Sequence, residues 1–213
     1  MKHTLVVKRI MYMSLSFTLL MIAARIIYTR QWYGLFLVWN LFLAWVPFIL
    51  STLLYKKRDA GKWIPYLIFA AWLLFFPNAP YIITDFLHLQ VRPPVPIWYD
   101  IVILFWASWN GLLLGFISLL YVEQFLLTKF KLTLVNKMVY ICMVLCGFGV
   151  YAGRYLRWNS WDVFINPGEI WGDVKYIALN PEDNLRTWGV TFSFSLLMIT
   201  CYLTIKNLRK AFP

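Results

Sequence analysis

The chain has 213 residues, of which 62% are apolar and 14% are charged, whereas a soluble domain is roughly 45–50% apolar and about 25% charged, so a soluble globule is excluded. Its 12 Trp, 13 Tyr and 17 Phe exclude a disordered chain, and its three Cys, all within apolar runs, exclude a disulfide scaffold. The net charge of +11 arises from basic clusters beside apolar runs, which favours topology signals and anionic lipid headgroups over nucleic acid. We therefore expect a multi-pass membrane protein whose surroundings are the lipid bilayer.

Six segments are apolar over the roughly 20 residues that a helix needs to cross the hydrocarbon core of a bilayer. They predict an all-α fold, a six-helix transmembrane bundle that forms a single integral-membrane domain over residues 1–213. A cleaved signal peptide is the alternative for the first segment, but the run Ile22–Arg25 lacks a small residue where a cleavage site needs one. The predicted spans are residues 10–28, 33–55, 63–84, 97–121, 134–153 and 185–205.

Loop charges predict the orientation of the chain, because cytoplasmic loops are enriched in Lys and Arg. Basic residues are concentrated in the predicted loops on the side of both termini, whereas most acidic residues lie on the other side, with Asp59 and Glu123 as exceptions. An even number of spans also returns the chain to the side where it began. Both termini are therefore expected in the cytoplasm. The basic residues on that side are Lys2, Lys8, Arg9, Lys56, Lys57, Arg58, Lys62, Lys129, Lys131, Lys137, Lys206, Arg209 and Lys210.

The third apolar segment contains an unusual stretch, Phe76–Leu89, with two prolines three residues apart. Pro77 and Pro80 each lack a backbone donor and clash with the preceding turn of a helix. We therefore expect the third helix to be broken or kinked between Phe76 and Tyr81. Irregular backbone survives at membrane depth only beside protein or water, so Asn78 is expected to satisfy the freed backbone groups.

Polar residues follow this predicted break. If helix resumes after the prolines, Tyr81, Asp85 and His88 fall on one face. An Asp and a His three residues apart can share a proton or a metal ion, which makes Asp85 and His88 candidate catalytic residues and Asn78 and Tyr81 candidate substrate-binding residues. The alternative is that they merely cap and hydrate a helix end, but ionisable residues within a membrane are rare and usually functional.

Polar and small residues also occur within the other spans. Arg25 lies within the first span, and Asn40 and Asn110 within the second and fourth are expected to form hydrogen bonds across helices. Small residues spaced four apart allow helix backbones to approach closely. They are Ala107, Gly111 and Gly115 in the fourth span and Gly149 and Gly153 in the fifth.

A second unusual stretch, Gly153–Asp162, follows the fifth span. Arg154 and Arg157 lie on one side if the helix continues, and paired arginines can bind a phosphate or carboxylate with fixed geometry. The alternative is that both side chains extend to lipid headgroups. Asn159 is a further candidate substrate-binding residue, and Asp162 a further candidate catalytic residue.

The longest loop, residues 154–184, is expected to contain a short helix that lies in the outer membrane interface. Its apolar residues recur at helical spacing on one face. They are Ile170, Trp171, Val174, Ile177 and Ala178.

The runs Phe76–Leu89 and Gly153–Asp162 resemble the two signatures of a bacterial integral-membrane family, domain of unknown function 1361. The resemblance extends from roughly the second span to the sixth. It implies a six-helix protein of about this length in a bacterial cytoplasmic membrane. It implies no activity, substrate or catalytic residue.

Three classes of function fit these patterns. The one that we favour is an enzyme at the outer leaflet that acts on a lipid or a lipid-linked, phosphate-bearing substrate. A transporter for a small solute or a proton is the second, although the inner halves of the spans have few polar residues. A non-catalytic subunit that binds a membrane partner protein is the third. Cofactor and metal stay open, since the chain has neither a phosphate-binding glycine loop nor a His-Glu-x-x-His motif.

The two unusual stretches are expected to meet. An unpaired charge at membrane depth costs a few kcal/mol or more, and Asp85 and Arg154 have opposite signs at similar predicted depth. We expect Asp85 and His88 to face an outward-open polar pocket shared with Arg154, Arg157 and Asp162. Asp100, at the start of the fourth span, lies at the same level and is a candidate substrate-binding residue there. If the charges pair only with each other, the cluster is structural.

Overall fold

The computed structural model describes the backbone of residues 2–211 and the side chains of residues 9–208. Secondary structure in this part of the chain is helical, apart from one β-bridge between Arg92 and Val95. Lys2, Lys8, Arg209 and Lys210, which contributed to the predicted orientation, have side chains outside it. The helices are α1 (Lys2–Thr29), α2 (Leu35–Lys56), α3 (Ile64–Phe75), α4 (Asn78–Tyr81), α5 (Ile97–Leu127), α6 (Leu132–Tyr151), α7 (Asp162–Ile165), α8 (Pro167–Leu179) and α9 (Leu185–Ala211), with a 3₁₀ segment at Ile82–His88 and a π turn at Ala152–Leu156.

Six helical stretches of the described residues are long and apolar enough to cross a membrane. This confirms the predicted all-α, six-span architecture, while the cytoplasmic location of the termini stays a prediction. The stretches are Arg9–Thr29, Leu35–Lys56, Ile64–His88, Ile97–Leu127, Leu132–Leu156 and Leu185–Leu208.

The fourth span extends past its predicted end at Tyr121 to Leu127, and Glu123 lies within it instead of in a loop. The Glu123 carboxylate is buried and accepts hydrogen bonds from Tyr202 and Lys206 of α9. A charge with such partners does not have to reach water, so it does not end the helix. Hydropathy alone therefore placed the helix end too early.

The third span changes its helical type at the two prolines. The α-helix ends at Phe75, a turn follows, and α4 leads directly into the 3₁₀ segment. Phe76 and Pro77 both keep right-handed helical backbone angles, so the kink expected here stays a prediction. The run ends at His88, which places the polar residues after the prolines at one end of the bundle.

The two ends of the bundle have different character. We call one end the loop face: it comprises residues 30–34, 89–96 and 157–184, and Tyr33 donates a hydrogen bond to the His88 carbonyl there. The other end, the terminal face, comprises residues 57–63 and 128–131, which approach each other where Lys129 lies 3.8 Å from Asp59. The polar residues discussed below lie at the loop face.

The α5 helix is the centre of the bundle. It packs against α1, α2 and α4, whereas α6 packs mainly against α9. Glycines permit the closest approach to α4: a Cβ atom on Gly111 would lie 2.5 Å from the Ala79 carbonyl oxygen, and one on Gly149 would collide with the Pro77 ring. The predicted small-residue spacing therefore holds the proline-containing segment between α5 and α6.

Candidate functional site

A buried ion pair joins the two unusual stretches of the sequence. Asp85 in the 3₁₀ segment is only 1% exposed, and Arg154 of the π turn donates from Nη2 to its Oδ1 at 2.5 Å. Asn40 of α2 donates to the other carboxylate oxygen at 2.7 Å. The expected meeting of Asp85 and Arg154 is thus observed, as is the predicted hydrogen bond of Asn40 across helices. Both oxygens of the carboxylate have a partner.

The Arg154 guanidinium is equally well satisfied. Its Nε donates to Thr84 Oγ1 at 2.7 Å, and its Nη1 lies 2.8 Å from His88 Nε2. The guanidinium carbon also lies 4.6 Å from the centre of the Tyr81 ring. Because a guanidinium only donates hydrogen bonds, Nε2 of His88 must be the acceptor, and the proton of the neutral ring is then on Nδ1. The Nε2 lone pair is therefore occupied by Arg154.

A local irregularity of the fifth span positions Arg154. Residues Ala152–Leu156 form a π turn, a rare widening of a helix that occurs frequently at functional sites. Arg157 then ends the helix with φ at 61°, the left-handed conformation that usually requires glycine. Residues without glycine's freedom keep such angles only where the surrounding structure enforces them. The turn directs Arg154 into the bundle and leaves Arg157 exposed.

A cavity of about 550 Å³ lies beside this ion pair at the loop face. Its walls are α2, the proline-containing end of the third span and α6, and residues 157–163 with Ile170 of α8 form its roof. Away from the roof, along the membrane-spanning helices, the lining is apolar, with Leu43, Leu73 and Leu145. Under the roof it is polar and aromatic. The cavity is thus amphipathic, and its volume lies within the range of roughly 300–1,000 Å³ typical of small-molecule sites.

Polar groups at the roof also satisfy the interrupted helix. Asn78 Nδ2 donates to the Phe75 carbonyl at 2.9 Å and to Ser160 Oγ at 3.0 Å. Ser160 in turn donates to the Leu74 carbonyl at 3.0 Å. Asn78 therefore bonds freed backbone, as expected from the sequence. Asn159 and Arg157 also line the cavity, and Arg157 carries the formal charge of that lining.

The ion pair and the cavity are two adjacent sites. The lining of the cavity includes Asn40 and Tyr81 but not Asp85, His88 or Arg154. The expectation of one open pocket shared by Asp85, His88, Arg154 and Arg157 is therefore corrected. The physical reason is that Asp85 and Arg154 turn towards each other to avoid the cost of unpaired charge. Asn40 and Tyr81 touch both sites.

The family model described as "Protein of unknown function (DUF1361)" matches residues 39–201. The match spans more than half of the 213 residues. The chain belongs to the DUF1361 family. No curated protein and no solved structure matches the chain. The matched region of this DUF1361 member contains the cavity and the ion pair, whereas α1 precedes it.

Two acidic residues expected in this cluster of the DUF1361 member lie elsewhere. Asp162 accepts hydrogen bonds from the backbone and side-chain nitrogens of Asn159 at 2.7 and 3.1 Å, and so closes a local turn. Asp100 accepts from Nε and Nη2 of Arg25 at 2.5 and 2.9 Å, and both side chains are buried. Arg25 lies deeper in the bundle than Arg157 and satisfies Asp100 completely. Asp162 and Asp100 therefore have other hydrogen-bond partners than the cluster around Asp85 in which they were expected.

Several contributing residues were not singled out from the sequence. Thr84 and Ser160 are ordinary hydroxyl residues near predicted helix ends, and no sequence pattern distinguishes them from the other Ser and Thr of the chain. Arg25 had a usable signal, because an ionisable residue inside a span implies a partner. Tyr33 lies between two guanidinium groups, 4.4 Å from Arg25 and 3.8 Å from Arg92. Burial raises the pKa of the Tyr33 hydroxyl, and the nearby Arg92 charge opposes this shift.

The described residues contain no group of three or more His, Cys, Asp and Glu that could hold a metal ion. Asp85 and His88 lie near the same guanidinium, and no third protein ligand joins them there. What the hydrogen bonds of Asp85 can do is connect the second, third and fifth spans beside the cavity.

Proposed function

We propose that this protein binds a lipid or a lipid-linked, phosphate-bearing molecule in the loop-face cavity. The observation that carries the proposal is the two-part lining of this cavity, which is apolar at depth and polar under the roof. A site of this kind suits a ligand with one charged end and one apolar end. The cavity lies towards the end of the bundle, so its polar part would be level with the lipid headgroups of a surrounding bilayer.

Arg157 is the residue that we assign to the headgroup. It lines the cavity, it is exposed, and it carries the formal charge of the lining. Arginine suits phosphate because its planar fork donates two hydrogen bonds at once. Arg154 is less suited, since Thr84, Asp85 and His88 already engage its nitrogens.

The backbone of Arg157 does not by itself distinguish it from other arginines. A left-handed conformation costs an ordinary residue roughly 1–2 kcal/mol relative to the right-handed form, and Arg30 adopts the same conformation outside the cavity lining. The assignment of Arg157 therefore rests on its place in the lining and on its charge.

Catalysis on the same molecule is a second candidate, favoured by one observation. Asn40 and Tyr81 line the cavity and also contact Asp85 and Arg154, so a bound molecule lies one side chain away from the Asp85–His88 pair. Both carboxylate oxygens of Asp85 and the Nε2 of His88 are engaged with protein groups. Binding is therefore the function that the geometry supports better.

The chain offers a matched pair of variants to test the proposal. Arg30 and Arg157 are both arginines of the loop face, and both have left-handed backbones, with φ at 56° and 61°. Arg157 lines the cavity, whereas Arg30 is not among its lining residues. Glycine suits both backbones, so Arg157→Gly and Arg30→Gly remove equal charge at similar structural cost.

The measurement is the affinity of the purified protein in phosphatidylcholine nanodiscs for a fluorescent phosphatidic acid. We expect Arg157→Gly to weaken binding about tenfold or more, because a hydrogen bond to a charged group contributes roughly 1.5–3 kcal/mol. Arg30→Gly should bind as the wild type does. Equal affinity in all three proteins would refute the proposal, as would an equal loss in both variants.

A further inference from the structure

We infer that the ligand enters the cavity sideways from the bilayer, through an opening between α2 and α6. The occupant is the apolar chain of a membrane-dissolved amphiphile, not a molecule taken up from water. This inference rests on the proposed function and specifies how its ligand is selected. Trp39 of α2 and Leu145 of α6 mark the two sides of the opening.

Exposure of lining residues locates the opening. Trp39 and Leu145 both line the cavity, yet they are 53% and 45% exposed. Both lie inside membrane-spanning stretches, and each is next to an exposed residue outside the lining, Phe42 on α2 and Val144 on α6. Helix α2 packs against α3 and α5, and α6 packs against α9. The cavity therefore borders the bilayer where these two groups of helices separate.

The depth of the cavity fits one leaflet. Along the fifth span its lining runs from Leu145 to Gly153, which corresponds to about 12 Å of helical rise. One leaflet of the hydrocarbon core is about 15 Å deep. A chain lodged here would lie level with the neighbouring lipid chains, and its headgroup would reach the roof where Arg157 lies.

The roof covers the cavity on the loop face. Trp158, Trp161, Val163 and Ile170 present large aromatic or apolar side chains to it. Helix α8, which carries Ile170, also contains Ile177, a residue only 4% exposed. A polar gap at Arg157 and Asn159 admits a headgroup to water. The route for an apolar chain is therefore the side of the bundle and not its end.

Two pairs of variants test the opening. Val144 and Leu145 are neighbours on α6 with equal exposure of 45%, and Leu145 lines the cavity while Val144 is not among the lining residues. Leu145→Trp should narrow the opening, and Val144→Trp should not. On α2, Trp39→Ala should widen it. Ile49→Ala, at a residue of α2 that has the same exposure of 53% and lies outside the lining, is its control.

The readout is the initial rate of photocrosslinking between the protein and a photoactivatable phosphatidic acid in phosphatidylcholine vesicles. We expect Leu145→Trp to slow crosslinking at least fivefold and Trp39→Ala to accelerate it, with both controls at the wild-type rate. Unfolding temperatures identify any variant that has lost its fold. The faster crosslinking expected of Trp39→Ala tests the opening even if Leu145→Trp does not fold. Equal rates in all variants, with crosslinking still dependent on Arg157, would overturn lateral entry alone. Crosslinking independent of Arg157 would overturn the proposed function and this inference with it.

Discussion

The Asp85–Arg154 ion pair illustrates how a buried charge is accommodated at the level of single residues. Four side chains surround it, and both oxygens of the carboxylate and all three guanidinium nitrogens have partners. Such a network is costly to leave incomplete, because the partner of a deleted charge stays buried and unpaired. The pair is therefore expected to act as a connection between the third and fifth spans.

Asp85→Asn tests this role. We expect it to destabilise the protein by about 3–5 kcal/mol, because Arg154 would be left as an uncompensated buried charge. Asp183→Asn, at an exposed residue of the loop face, should change stability by less than about 0.5 kcal/mol. The double variant Asp85→Leu with Arg154→Met should recover most of the loss. Thermal unfolding in detergent measures all three.

A different result would change the interpretation of the cluster. If Asp85→Asn keeps the wild-type unfolding temperature but abolishes ligand binding or a deletion phenotype, the cluster is functional and not a structural connection. His88→Ala then becomes the next informative variant, since His88 is exposed at the edge of the cluster.

At the level of elements, the proline-containing segment depends on glycines of its neighbours. Gly111 and Gly115 of α5 face Ala79, and Gly149 of α6 faces Pro77. Side chains at these positions would push α4 away from both helices. Pro77 and Gly149 both line the cavity, so this packing also sets the width of the cavity.

Gly111→Ala tests the close approach. We expect a loss of about 1–3 kcal/mol in stability, because the new methyl group would overlap the backbone of Ala79, which has no free rotamer to yield. Gly189→Ala is the control, since Gly189 lies in the second turn of α9 and has open space around it. That change should be neutral or stabilise by up to about 1 kcal/mol. Similar unfolding temperatures for the two variants would contradict the observed packing.

Within the described part of the chain, three ion pairs with a buried carboxylate connect segments that are distant in sequence. Arg25 and Asp100 join α1 to α5, Arg154 and Asp85 join the π turn to the 3₁₀ segment, and Lys206 and Glu123 join α9 to α5. In an apolar environment many helix faces are nearly interchangeable, because lipid is as apolar as leucine. Ion pairs between specific helices therefore favour the native packing of those helices over other pairings.

The orientation of the whole molecule is the remaining prediction at this scale. A fusion after Leu89 should lie outside the cytoplasm and a fusion after Lys131 inside it, because 13 of the 20 Lys and Arg lie in the chain ends, loops and span ends that the sequence assigns to the side of Lys131. Alkaline phosphatase should be active only in the first fusion, and green fluorescent protein should fluoresce only in the second. The reverse pattern would invert the assigned topology and place the cavity at the inner leaflet.

The sequence by itself determined the class of protein and the number of spans. Each span must satisfy its own backbone within lipid, so its length and apolarity are local properties that a single stretch of sequence carries. The expectation that Asp85 and Arg154 meet also followed from sequence, because their opposite charges lie at matching depth and few partners exist there.

Only the tertiary structure decided the partners of the other charges and the existence of the cavity. Asp100 pairs with Arg25 and Glu123 with Lys206, since a pairing depends on which helix faces meet and not on depth alone. The cavity arises where α2 and α3 diverge from α6 under the roof. A space between helices depends on how the helices pack, so it leaves no recognisable pattern in the sequence of any one of them. Its lining is therefore visible only once the helices are packed.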